Sequence, residues 1–383
     1  MKKHNFILIS CCVFFLFGSI LSETQTWSTC TRLSWTSGIS ANPVAAVDSS
    51  GSLHVVWQED KSGKYVIIHK KSTDGGMTWS NPTRLSWGIQ SSEQPELAAD
   101  SSGCVVVVWQ NEVFPGNFDL FSKKSTDGGT TWSPINRVTW NNDSDRSNIC
   151  FDSEDTLHLA YVSYDSPSGG FDYEIMYKNS LDKGTTWSQR KKITYNLDDS
   201  YLPYICSYPG GFLHISWNDE SPGNWENFYK RSTDGGATWS APVRLTWNPG
   251  YSFYSKLGID TNHNIYAFWS DEIAGTSEIF YKKSTDGGVS WGNLNRLTWN
   301  LGGADTNRIA VGSDDTVHVV WRDNGIKYRY STDGGMTWSP RESLSSPGSP
   351  SSLYMIIDSN NTLHLTWKDN SSGNYEIYYQ KRE

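Results

Sequence analysis

The chain has 383 residues, long enough for one large domain whose core needs no disulfide or metal staple. Aromatic residues make up 14% of it, with 19 Trp and 33 Gly, against 19% charged residues, a balance that favours many short strands over helices or disorder. A net charge of −9 argues against nucleic acid and anionic membrane as partners.

At the N-terminus, Lys2 and Lys3 precede an apolar run from Phe6 to Leu21, with Gly18, Ser19 and Ser22 near its end. This is the pattern of a signal peptide over residues 1–22, cleaved near Ser22; the alternative is a short uncleaved anchor. No later stretch is long and apolar enough to span a bilayer. The chain is therefore expected to be exported: secreted, at the cell surface or in a periplasm. Beyond the leader stand Cys30, Cys104, Cys150 and Cys206. Cys150 and Cys206 share one register in adjacent repeats, which leaves a bridge open, with packing as small apolar residues the favoured reading.

From residue 45 onward the sequence repeats with a period of about 52 residues. Seven hairpin patterns occur, at 45–57, 97–109, 149–161, 205–217, 257–269, 309–321 and 355–367. Each sets two β-branched and aromatic runs around a polar turn, as in AAVDSSGSLHVVW. A third run follows, then a turn, then a short fourth run ending in Arg-Leu-Thr-Trp or a variant of it. Four strands per unit make a propeller blade, so the predicted fold is an all-β, seven-bladed β-propeller over residues 23–383.

The turn between third and fourth strands reads Ser-x-Asp-x-Gly-x-Thr/Ser-Trp six times, with aspartates Asp74, Asp127, Asp182, Asp234, Asp286 and Asp333. Asp accepts hydrogen bonds from the turn amides, Gly supplies a positive φ, and Trp folds back over the loop. The motif resembles the Asp box, or bacterial neuraminidase repeat, of the sialidase-like β-propeller superfamily. The seventh copy is split: Trp27 to Trp35 matches the segment after an Asp box, and Tyr375 to Tyr379 matches a third strand. The N-terminal strand is thus expected to complete the last blade.

The period also explains away many eye-catching residues. Eighteen of the 19 Trp fall in three recurring slots, so core packing is expected for them. His54, His158, His214, His318 and His364 share one second-strand slot and read as hydrogen-bonded packing residues, while Arg32, Arg84, Arg137, Arg244 and Arg296 share one fourth-strand slot and read as peripheral. A ring of acids after the second strands, Asp60, Glu112, Asp165, Asp219, Asp271, Asp323 and Asp369, suggests loop hydrogen bonding. No spacing marks a zinc or calcium site, and no cofactor is expected.

Function then rests on positions that vary between repeats. The resemblance implies a ligand cup at the channel mouth, opposite the Asp boxes. One slot, four residues before the first-strand Asp position, reads Val44, Glu96, Asn148, Tyr204, Lys256, Arg308 and Tyr354. Two residues on, the same strand face is small: Ala46, Ala98, Cys150, Cys206, Gly258, Ala310 and Ile356. A second slot follows the second-strand Trp or Tyr: Gln58, Gln110, Val162, Asn218, Ser270, Arg322 and Lys368. Lys256, Arg308, Arg322 and Lys368 would form a basic cluster suited to a carboxylate or sulfate, unless acids such as Asp323 and Asp369 pair with them. An aromatic group with Trp225, Tyr251, Phe253 and Tyr254 lies beside it in sequence.

A sialidase-like enzyme would add three arginines for the substrate carboxylate, a Tyr nucleophile paired with Glu, and an Asp acid/base. Arg146, Arg308 and Arg322 are the off-repeat arginines that could face the cup, and Glu96 with Tyr204 or Tyr354 is the available pair. The superfamily's Arg-Ile-Pro signature is absent, and its catalytic propeller has six blades. Seven-bladed Asp-box propellers resemble xyloglucan hydrolases, which work as propeller pairs, and a photosystem assembly factor, which binds protein. The leading reading is an exported, non-catalytic module binding a glycan or a protein at the channel mouth. The alternative is an exo-sialidase or other glycoside hydrolase acting on an acidic glycan.

Overall fold

Each repeat folds as an antiparallel sheet of four strands, the fourth only two or three residues long. Blade 1 comprises Ser40–Val47, Leu53–Asp60, Tyr65–Ser72 and Thr83–Arg84, and blade 2 comprises Ser92–Ala99, Val105–Phe114, Asn117–Ser125 and Asn136–Arg137. Blades 3 to 6 begin at Ser144, Ser200, Ser252 and Asp305. The computed structural model describes residues 26–88, 90–140, 143–164, 172–273, 275–299, 303–344 and 348–383. The leader and Asp165 lie outside them. No helix occurs among the described residues, and hence none that could cross a membrane.

Blade 7 consists of Ser351–Ile357, Leu363–Asp369 and Glu376–Arg382, with Thr31–Arg32 as its outermost strand. Thr31 lies opposite Tyr379 and Arg32 opposite Tyr378; the Leu33 amide donates to the Ile377 carbonyl at 2.7 Å. First strands of successive blades lie against one another all the way round, the seventh against the first included. A ring of this kind leaves only short, protected sheet edges.

The core lies between blades. Trp57, Trp109, Trp217, Trp269, Trp321 and Trp367, which end second strands, are all fully buried. Trp269 packs with Leu257 and Ile265 of its own blade against Tyr229 and Leu245 of the preceding one. Burying a ring of this size stabilises by about 2–3 kcal/mol.

The Asp boxes join blades as well as strands. Asp74 accepts from the Ser72 hydroxyl (2.7 Å) and the Thr78 amide (2.9 Å), while the Ser72 hydroxyl accepts from the Gly76 amide (2.8 Å). The Thr78 hydroxyl also donates to Asp74, and together with the Thr78 amide and the Ser72 hydroxyl holds its half-buried carboxyl down at about 2. Gly76, at φ 86°, abuts Tyr379 of blade 7, and a Cβ there would stand 2.2 Å from the phenol oxygen. The recurring histidines complete this contact from behind. His158 bonds Asp152 (2.9 Å) and the Tyr177 hydroxyl (2.8 Å), and that hydroxyl donates to the Gly235 carbonyl of the next blade (3.2 Å).

Two expectations need correction. The aromatics after the fourth strands are not core residues: Trp35, Trp87, Trp140, Trp247 and Trp299 are exposed. They follow a buried Leu or Val by two residues, where the chain has already left the sheet. The fourth-strand arginines are also more than peripheral. Arg32, Arg137, Arg244 and Arg296 form ion pairs with Glu376, Asp119, Glu226 and Glu278, each of which is fully buried.

Candidate functional site

Every first strand bulges at its start. Pairing register skips between Ala41 and Val44, Glu93 and Glu96, Asp145 and Asn148, and so through all seven blades. The bulged residue is left-handed in each case and never glycine: Asn42, Gln94, Arg146, Leu202, Tyr254, Thr306 and Ser352, with φ from 47° at Arg146 to 60° at Tyr254. Such a conformation costs about 1–2 kcal/mol per residue. Second-strand amides help hold it. Gln58 Oε1 accepts from the Gln94 amide (2.8 Å) and Asn42 Nδ2 (3.0 Å), and Asn218 Oδ1 accepts from the Tyr254 amide (3.3 Å).

All seven bulged residues line one cavity of about 380 Å³ at the end of the central channel. Deeper in the same wall lie Val44, Glu96, Asn148, Lys256, Arg308 and Tyr354. The bulge turns each strand so that two residues, two apart, both face the axis; a regular strand would also repeat at two, but without the change of direction that opens a funnel. The volume suits one or two sugar residues.

Six of the nine residues selected from sequence meet here: Glu96, Asn148, Lys256, Arg308, Tyr354 and Lys368. Asn148 Nδ2 donates to Glu96 Oε2 at 3.0 Å, and its Oδ1 accepts from the Ile205 amide at 2.8 Å, which fixes the orientation of the amide. The Lys256 ammonium lies 4.7 Å from the centre of the Tyr204 ring, and the Arg308 guanidinium 5.7 Å from that of Tyr354. Burial pushes the Glu96 carboxyl up, with the charges of Lys256 and Arg308 opposing it. Burial pushes the Lys256 amine down, and Arg308 adds to the effect. The Tyr354 phenol is raised by burial and by the charge of Glu96.

Three selected residues stand elsewhere. Tyr204 serves as the platform under Lys256 and packs into the core behind it. Arg322 reaches Asp305, with Nε at 2.7 Å from Oδ1 and Nη2 on Oδ2, so its partner is not Asp323, which instead takes Arg341 at 3.3 Å. Arg322 and Asp305 line a separate groove between blades 5, 6 and 7. Trp225 packs on Phe253 at 6.0 Å, away from the cavity wall. Of the whole second-strand slot, only Lys368 reaches the cavity; Gln58, Gln110 and Asn218 are buried as bulge clamps.

Sequence reasoning overlooked the bulge ring, and with it Gln94; Arg146 and Tyr254, which the sequence did offer, reach the cavity as members of that ring. Pro43, Pro95 and Pro203 were the available signal, because proline inside a central strand marks a bulge. Among the described lining residues, Glu96 is the single carboxylate against four cations, Arg146, Lys256, Arg308 and Lys368. No group of acids, histidines and cysteines there or elsewhere among the described residues is arranged to hold a metal ion.

Residues 329–340, the sixth Asp box, match the family model described as the BNR/Asp-box repeat. No curated protein matches the chain. Solved structures similar to it include the Hadza microbial sialidase Hz136, with 15% identity over 85% of this chain and 75% of that one, at a TM-score of 0.55. The α-L-arabinofuranosidase Arb93A from Fusarium graminearum is 16% identical over 75% of this chain and 91% of its own, at 0.54. A polysaccharide lyase, the PL25 ulvan lyase, is 10% identical over 89% and 93%, at 0.62. At these identities the likeness is one of fold.

Proposed function

We propose that this chain, an Asp-box β-propeller of sialidase-like fold, is an exported module that binds an acidic glycan at the channel mouth without turning it over. The observation that carries this reading is the lining of the cavity: four cations and a single carboxylate among its described residues, a charge balance suited to an anion. A sugar carboxylate or sulfate would displace water from Arg308, Lys256 and Arg146, while Asn148 and Gln94 offer hydrogen bonds to hydroxyls. Export rests on the leader at residues 1–22. That the three similar folds described above are named as a sialidase, an arabinofuranosidase and a polysaccharide lyase supports a glycan as the ligand class.

Turnover is disfavoured by the same lining. Hydrolysis of a glycosidic bond by either common route takes two carboxyl groups, or a Tyr–Glu nucleophile with a separate acid. Glu96 lies within electrostatic reach of Tyr354 and Arg308, so a nucleophile pair is the second reading. It lacks an Asp in the cavity wall to protonate the leaving group.

The test uses the full chain without its leader. Calorimetric titration with sialyllactose, a glucuronate oligomer and a sulfated oligosaccharide should give binding that falls about tenfold or more in Arg308→Ala. A fluorogenic sialoside and aryl glycosides should not be hydrolysed. Hydrolysis that disappears in Glu96→Gln would overturn the binding reading in favour of the enzyme.

A further inference from the structure

The exposed aromatics after the fourth strands form a second, regular feature that the cavity does not use. Trp35, Trp87, Trp140, Tyr195, Trp247 and Trp299 occupy one position in six blades, and each is 57–74% exposed. Blade 6 has Ser346 at that position. Every one stands in the connection from a fourth strand to the next first strand. That is the end of the blades at which first strands begin and bulge, so the six rings surround the cavity as an outer rim.

Their neighbours are alike. A cation lies over each ring: Arg137 at 4.3 Å from the Trp140 centre, Lys123 at 4.4 Å from Trp87, Lys282 at 4.7 Å from Trp247 and Lys70 at 5.0 Å from Trp35. Tyr195 has Lys192 at 5.5 Å, and Trp299 has Arg296 at 5.8 Å. Four of these cations are fixed: Lys282 donates to the Leu245 carbonyl of the preceding blade at 2.9 Å, and Arg137, Lys192 and Arg296 pair with the buried carboxylates of Asp119, Glu174 and Glu278. One face of each ring is therefore held by a charge, and exposure at this level requires the other face to be open to solvent.

We propose that these six positions are equivalent subsites for the pyranose residues of a polysaccharide. The C–H face of a pyranose stacks on the open face of an indole or phenol ring, and the cation over the opposite face holds that ring in place. Large aromatics left this exposed on a soluble surface are otherwise unfavourable, and here they recur six times in one environment. A lipid surface fits less well. Inserting these rings would draw their packed cations towards hydrocarbon, and the chain's net charge of −9 repels anionic headgroups. One stacking contact is weak, but several on a rigid ring bind a repeating polymer by avidity. The inference is independent of the anion site, since it concerns different residues and a different ligand property.

Affinity electrophoresis tests it, with gels containing the neutral pyranose polymers β-glucan, galactan or mannan. Retardation by at least one polymer is expected. It should weaken about twofold in Trp247→Ala and tenfold or more in Trp35→Ala/Trp140→Ala/Trp247→Ala, and persist in Arg308→Ala. In the wild type the same polymer should shield Trp fluorescence from acrylamide, a readout that needs no variant to fold. Absence of retardation in every gel overturns the proposal. So does retardation unchanged in the triple variant, or triple-variant-sensitive binding to phosphatidylcholine vesicles without polysaccharide binding.

Discussion

The buried histidines of the second and third strands make stability depend on pH in a predictable sense. His69 is 1% exposed, 3.0 Å from His54, and burial together with the charges of His54 and Lys71 pushes it down to about 3. His214 is fully buried, bonded to the Tyr229 hydroxyl at 2.6 Å, and burial together with His263 and Arg231 holds it at about 3. In the unfolded chain both titrate near the ordinary value of about 6.5. Between that value and about 3 the unfolded state binds protons that the folded state does not, so stability is full above 6.5 and falls as pH falls. From about pH 7.5 to about pH 4.5, each histidine accounts for roughly 3 kcal/mol of loss, and the pair for roughly 5. Other groups titrate in the same range: Asp145, raised to about 6 by burial, acts in the opposite sense. The difference between two proteins removes such contributions. Urea unfolding of the wild type and of His69→Asn/His214→Asn at both pH values should show a smaller pH effect in the variant, by roughly 5 kcal/mol. An equal pH effect in the two proteins would refute the reasoning, because these histidines would then be titrating in the folded state.

Trp269→Ala, which empties a fully buried site between blades, should cost about 3–5 kcal/mol in urea unfolding, whereas Trp299→Ala at the rim should cost about 1 kcal/mol or less. Glu96→Gln removes the sole carboxylate of the cavity wall and should raise affinity for an anionic oligosaccharide several-fold, roughly five to tenfold by calorimetry. In the wild type that affinity should fall as pH rises, because Glu96 ionises and the depressed Lys256 loses its proton; a flat profile would contradict the placement of both groups. Of the cysteines at 30, 104, 150 and 206, all are free and only Cys30 is exposed, so a thiol reagent should label one site on the folded protein and four after denaturation.

Most of the fold was legible because it is written by local rules repeated seven times. Alternating β-branched runs, the Asp-box turn and a Trp closing each second strand each name one element, and the copies check one another. Part of the cavity was legible too: Glu96, Asn148, Lys256, Arg308 and Tyr354 stand where a repeat position loses its uniform residue type. Arg322 misled, because its position follows the strand alternation but its charge is taken by Asp305, directly opposite it on the first strand. The terminal tryptophans misled for the opposite reason. Trp is by composition a core residue, and nothing in Arg-Leu-Thr-Trp says that the strand ends after Arg.

The sequence by itself determined the blade, the number of blades and the split seventh copy, since each follows from hydrogen-bonding pattern and hydrophobic period over a few residues. Only the tertiary structure decided which side chains face the axis. That depends on a left-handed residue at the start of every first strand, which at Gln94, Arg146 and Tyr254 is held by a side-chain amide of the preceding blade, 36 residues back in the chain. The same holds for the rim, where exposure is set by the point at which the chain leaves the sheet, and where Lys70, Lys123 and Lys282 reach Trp35, Trp87 and Trp247 from the next blade.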